Sequence, residues 1–118
     1  MDKLEQIFKK QKELQQKILN KEISELLENQ EFINLNILAC FSELNEILSE
    51  TQWKNPYKIK YGWKKTQEFK IDKYKDELID LLHFYVNLCI SAGIEPNEIY
   101  SRYMKKNKIN HSRKERGY

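Results

Sequence analysis

Apolar residues recur along this chain at steps of three and four, the period of an α-helix with one covered face. Over residues 3–28, Leu4, Ile7, Phe8, Leu14, Ile18, Leu19, Ile23, Leu26 and Leu27 hold that period and predict one long first helix. A second helix is predicted over 32–50, where Phe32, Ile33, Leu35, Ile37, Leu38, Phe41, Leu44, Ile47 and Leu48 cover most of the helix surface. Pro56 and Gly62 interrupt the pattern, so residues 51–67 read as a loop. That loop is aromatic and basic, with Trp53, Lys54, Tyr57, Tyr61, Trp63 and Lys64. A third helix runs from about Ile71 to Ala92 and stops at Gly93, a residue suited to the left-handed turn after a helix. A fourth opens near Pro96, a favoured first-turn residue, and is predicted to reach Lys106 or Asn107. The polar, basic stretch 110–118 is expected to be irregular until a ligand or partner orders it.

Polar interruptions inside the second and third helices change this picture. In the third, Glu77, Asp80, His83 and Asn87 stand among Leu, Ile, Phe, Tyr and Val at steps of three, three and four, which places them on one stripe. The second repeats the design with Asn36, Glu43, Glu46 and Glu50. An unpaired carboxylate in an apolar setting costs free energy unless something compensates it. Two such stripes facing each other bring Glu43, Glu46, Glu77 and Asp80 around one cavity. Repulsion and desolvation would then raise some of their pKa values, and a hard cation would offset both. Oxygen ligands of this kind suit Mg2+, with Mn2+ able to substitute. A lone E-x-x-E is usually a solvated helix face; two pairs with further polar residues in register are not. His83 by itself would read as a hydrogen-bonded core residue. In the first helix, Gln11 falls where the apolar seam expects a hydrophobic side chain, and Gln15 lies at the edge of the same face. A seam glutamine either sets register or aims its amide into a pocket.

Composition and charge agree with an all-α domain. Of 118 residues only three are glycine and two proline, and 33% are charged. The expectation is one domain over 1–118, a compact bundle of about four main helices. Four helices of this length leave apolar faces poorly covered in a monomer, so a homodimer is expected. No apolar run reaches membrane length and no leader pattern opens the chain, which gives a cytoplasmic expectation with no membrane partner. Cys40 and Cys89 read as buried reduced thiols. The net charge of +3 conceals a basic tail: residues 102–118 carry about +6 and the remainder about −3. An acidic centre and a basic tail can share one ligand if that ligand is a metal-bound polyphosphate.

Assembled in order, these residues resemble the dimeric all-α dUTPases, members of the MazG-like nucleoside triphosphate pyrophosphohydrolases. Ile7-Phe8-x-x-Gln11-x-x-Leu14 is similar to the family's first-helix motif. Glu43-x-x-Glu46 with the trailing Trp53-Lys54 resembles the first metal motif, and Glu77-x-x-Asp80-Leu-Leu-His83-Phe84 the second. Tyr103-x-x-Lys106-Asn107-x-x-Asn110-x-x-Arg113 with Gly117-Tyr118 looks like the C-terminal phosphate-binding signature. Three departures stand out. Gln15 replaces the usual Asp or Asn, the second tryptophan (Trp63) comes ten residues late, and the stretch between the second acidic motif and the tail is short.

The resemblance implies Mg2+-dependent hydrolysis of dUTP, with dUDP as a further substrate, to dUMP. It assigns Glu43, Glu46, Glu77 and Asp80 to two or more Mg2+ ions and gives Glu46 the task of orienting or deprotonating water. Lys106, Asn107, Asn110 and Arg113 would hold the distal phosphates. Gln11 with Trp53 or Trp63 would hold the base, and His83 and Asn87 would contact the sugar or support the metal ligands. A dCTPase or a broader pyrophosphohydrolase is the nearest alternative. A small helical nucleic-acid-binding protein would account for the basic tail but leaves the acidic stripes without a role, so a nucleic-acid partner is not expected. A catalytically inactive bundle kept for protein contacts is the third alternative.

Overall fold

Asp2 starts the first helix by accepting a hydrogen bond from the Glu5 backbone N–H at 2.8 Å, the side-chain cap that an orphan helix N-terminus favours. In the computed structural model, which describes residues 1–51 and 68–117, α1 spans Lys3–Leu19, α2 Gln30–Ser49, α3 Ile71–Ser91 and α4 Pro96–Glu115. A single 3-10 turn, Ile23–Glu25, lies between α1 and α2, and there is no strand among the described residues. The all-α expectation holds. Of the predicted loop 51–67, residues 52–67 with Trp53 and Trp63 lie outside the described residues, as does Tyr118.

The chain divides into two units, Met1–Glu28 with Cys89–Tyr118, and Asn29–Leu88. In the first, α1 is shorter than its apolar period suggests. Asn20 adopts a left-handed conformation (φ 53°) and donates its N–H to the Gln16 carbonyl, so the helix ends seventeen residues in. Asparagine tolerates this geometry better than most residues, and the apolar positions Ile23, Leu26 and Leu27 are carried by the turn that follows. Phe8, Leu26, Cys89, Ile90 and Pro96 are buried in this unit.

Gly93 (φ +69°) closes α3 in a Schellman arrangement: its N–H reaches the Ile90 carbonyl and the Ile94 N–H reaches that of Cys89. Pro96 then opens α4, and Lys12 on α1 pairs with Glu95 at 2.8 Å just before it.

α4 runs to Glu115, and this corrects the expectation of an irregular 110–118. Between Pro96 and Gly117 there is no helix breaker, Arg102 pairs with Glu98 one turn back, and Arg113 and Lys114 sit where the helix dipole favours cations. Gly117 (φ +85°) follows its end.

In the second unit Phe32, Ile47 and Val86 are buried. Asn29 caps α2 by accepting from the Phe32 N–H at 3.0 Å. Apolar residues do wrap most of α2 and α3, but many face outward rather than inward. Leu38, Phe41, Leu44 and Leu48 form an exposed stripe on α2, and Ile79 and Tyr85 are half-exposed on α3. No single helix among the described residues is long and apolar enough to cross a membrane.

Candidate metal and nucleotide site

Two cross-helix pairs fix the register of α2 against α3. The Asn87 amide donates to Asn36 Oδ1 at 2.9 Å, and Lys73 Nζ lies 3.1 Å from a Glu50 carboxylate oxygen. From 36 to 50 along α2, and from 87 back to 73 along α3, the chain advances by the same fourteen residues. The helices are therefore antiparallel and in step, which sets Glu43 opposite Asp80 and Glu46 opposite Glu77. The stripes inferred from spacing alone do face each other.

Oxygens of Glu43, Glu77 and Asp80 all lie within 4.8 Å of one another. Glu43 and Glu77 are half-buried, and Asp80 and Glu46 are exposed. One oxygen of Glu43 and one of Glu77, Oε2 in each case, are shut off from solvent without a hydrogen-bond partner. A shielded acceptor left unsatisfied is unfavourable, and two beside each other are more so. Partial burial raises the Glu43 pKa first, then the charges of Glu46, Asp80 and Glu77, with Glu77 close enough to share a proton. Glu77 is raised by desolvation, by a carboxyl–carboxyl contact with Glu46, and by repulsion from Glu46, Asp80 and Glu50. Such a cluster fits a hard divalent cation, which would satisfy the orphaned oxygens and cancel the repulsion together. Neighbouring Cys40 has its thiol pKa pushed up by desolvation and by Glu43, which keeps it protonated.

The other predicted residues fall in different places. Asn87 is buried and bonded to Asn36, whose own amide donates to the Phe32 carbonyl at 2.8 Å, so this pair serves as a buried pin between the helices. His83 is exposed on the α3 stripe. Gln11 and Gln15 are both buried with Phe8 on α1, while the apolar Ile7, Leu14 and Ile18 are exposed. Spacing pointed to Gln11 correctly as a seam residue; Gln15 is buried as well rather than lying at the margin. Lys106, Asn110 and Arg113 are exposed on α4 and Asn107 is half-buried there.

A residue that the pattern did not single out is Lys73. It precedes Glu77 by four positions and so belongs to the same stripe, a register that would have found it.

Against known proteins, the profile of the family described as dUTPase matches residues 3–97, most of the chain and both acidic pairs. The chain belongs to the dUTPase family. Among individual relatives, a dCTP pyrophosphatase of Enterobacteria phage LZ5 is 39% identical over 72 residues, covering 56% of this chain and 41% of its own. A dCTP pyrophosphatase of Enterobacteria phage T4 is 35% identical over 74 residues, covering 56% of this chain and 42% of its own. This dUTPase-family chain thus matches less than half the length of either relative. No solved structure matches it. The family match ends at Pro96-Asn97, so the basic half of α4 lies beyond it.

Proposed function

We propose that this dUTPase-family chain is a Mg2+-dependent nucleoside triphosphate pyrophosphohydrolase that hydrolyses dUTP, and dUDP as a further substrate, to dUMP. The observation that carries the proposal is the Glu43–Glu77–Asp80 cluster with its two orphaned, shielded oxygens. Glu43, Glu77 and Asp80 would hold the cation, with Glu46 beside them; Mn2+ would serve in place of Mg2+. When bound, a divalent cation supplies neutralisation of phosphate oxygens and a lower pKa for water.

The chain's own residues have distinct tasks in this scheme. Glu46, outside the closest group of three, orients the attacking water or takes its proton. Hydrolysis joins the water oxygen to phosphorus as the bond between the α- and β-phosphates breaks, so dUTP gives dUMP and pyrophosphate and dUDP gives dUMP and phosphate. Lys106, Asn107, Asn110 and Arg113 share one side of α4 at helical spacing, and they grip the distal phosphates and stabilise charge on the leaving group. Gln11 and Trp53 or Trp63 hold the base, the amide by hydrogen bonds. His83 contacts the sugar, and Asn87, committed to Asn36, supports the ligand helices. The exposed apolar stripe of α2 favours a homodimer, because a second copy would cover Leu38, Phe41, Leu44 and Leu48.

The names of the phage relatives favour a second reading, dCTP as the substrate. A site built to bond one pyrimidine edge leaves buried polar groups unpaired with the other, so a strong preference is expected rather than equal use. Turnover of dUTP, dCTP, dTTP and UTP measured side by side with Mg2+ decides between them. Preference for dUTP supports the proposal and preference for dCTP replaces its base. Equal turnover of all four would sink both.

A further inference from the structure

Five carboxylates, not four, line the facing stripes, and the fifth is treated differently. Glu50 continues the Glu43–Glu46 stripe by one more turn and its side chain is only 14% exposed. Yet Glu50 is outside the group of oxygens close enough to share a cation. Instead it meets the Lys73 ammonium at 3.1 Å, from the position on α3 that faces it in register. At the opposite end of the stripes the Asn36–Asn87 pair occupies the corresponding place, neutral and buried. The carboxylate cluster is thus bracketed by two cross-helix pairs, of which one carries charge.

We propose that Lys73 is a positioning residue that withdraws Glu50 from the cation site. By neutralising and orienting that carboxylate, it confines divalent cations to the Glu43, Glu77 and Asp80 oxygens and their neighbour Glu46. Lys73 is 58% exposed, which limits what the pair adds to folding, although Glu50 itself is only 14% exposed and would lose its counter-charge without the lysine. A negative charge one turn from a divalent site changes cation affinity even where it adds almost nothing to folding. Without Lys73, Glu50 is free to swing toward the cluster as an additional ligand, and the site becomes tighter for cations and less defined in geometry.

This inference rests on the metal-binding proposal, and calorimetric titration of the full chain with Mn2+, without nucleotide, tests the two separately. Lys73→Gln is expected to bind Mn2+ about three- to tenfold more tightly than the wild type, the effect of one uncompensated charge near the site. Lys73→Arg, which keeps the charge, is expected to restore wild-type affinity. The double variant Lys73→Gln/Glu50→Gln is expected to return to within about twofold of the wild type, since neither charge remains. Unchanged affinity in Lys73→Gln, in a protein that does bind Mn2+, overturns the role of Lys73 alone. Loss of affinity in the double variant as large as that of Glu43→Gln shows Glu50 to be an ordinary ligand and overturns the proposal by another route. Absence of Mn2+ binding in the wild type removes the metal site and this inference together.

Discussion

The carboxylate stripes of α2 and α3 and the basic half of α4 carry opposite charges, and they hold them by opposite means. On α2 and α3, Glu43, Glu50 and Glu77 are partly shielded beside the exposed Glu46 and Asp80, the cluster is pinned at both ends by Asn36–Asn87 and Glu50–Lys73, and an oxygen each of Glu43 and Glu77 has no partner. On α4 the residues from Tyr100 onward are nearly all exposed, and Arg102 answers Glu98 within its own helix. One region pre-forms an unfavourable charge cluster that a cation relieves at neutral pH. The other displays charges that water already satisfies and that a ligand would collect. Binding free energy should therefore concentrate on the first region, where ligand removes an existing penalty, and should be spread thinly over the second.

Glu43→Gln puts the greatest strain on this contrast. It removes one of the three grouped ligands and is expected to abolish Mn2+ binding in calorimetry and to lower kcat/KM by about 10³-fold, or about 4 kcal/mol at 1.36 kcal/mol per decade. Retained turnover with Mg2+ would show the cluster to be incidental. Arg113→Ala should do less. It removes a single charge-assisted contact from an exposed helix, and about a 10- to 100-fold loss in kcat/KM is expected, with helical circular dichroism and Mn2+ affinity unchanged. A larger loss than that of Glu43→Gln would reverse the assignment of the two regions.

The same contrast explains what the sequence could and could not yield. Register on α2 and α3 was readable because Glu43, Glu46, Glu77 and Asp80 break an apolar pattern, and a carboxylate out of place is a strong signal. Gln11 was readable for the same reason, as a polar residue on an apolar seam. On α4 nothing is out of place. Lys, Asn, Ile and Arg alternate without a buried face, so periodicity had nothing to register and helix to Glu115 went unforeseen. The spacing of Tyr103, Lys106, Asn107, Asn110 and Arg113 is itself helical, a cue that charge obscured. The end of α1 leaves no gap in the apolar repeat, because an asparagine in the left-handed region stops a helix as a glycine does. Lys73 carries no such signal, because a lysine near a helix start looks like ordinary surface and only its facing partner Glu50 gives it meaning.

The smallest expected effect follows from the raised carboxyl groups. Glu43 and Glu77 have folded-state pKa values above the ordinary 4.5, so folding is opposed when they are ionised. By linkage, the stability tied to their protonated forms is fully present below about 4.5 and is lost as pH rises through the raised folded values. In metal-free solution Glu43→Gln should therefore melt a few degrees above the wild type at pH 7–8, because it removes one of the repelling charges. That difference should shrink as the pH falls toward and below 4.5 and the wild-type Glu43 takes up its proton. Adding Mg2+ at pH 7 should close the gap from the other side, by stabilising the wild type and not the variant. Thermal melts of both proteins across this pH range, with and without Mg2+, supply the check. α4 carries no such device, and Arg113→Ala should show neither the pH-dependent gap nor its closure by Mg2+. A gap independent of pH, or a variant less stable than the wild type at neutral pH, would mean that the cluster is not the frustrated element its orphaned oxygens indicate.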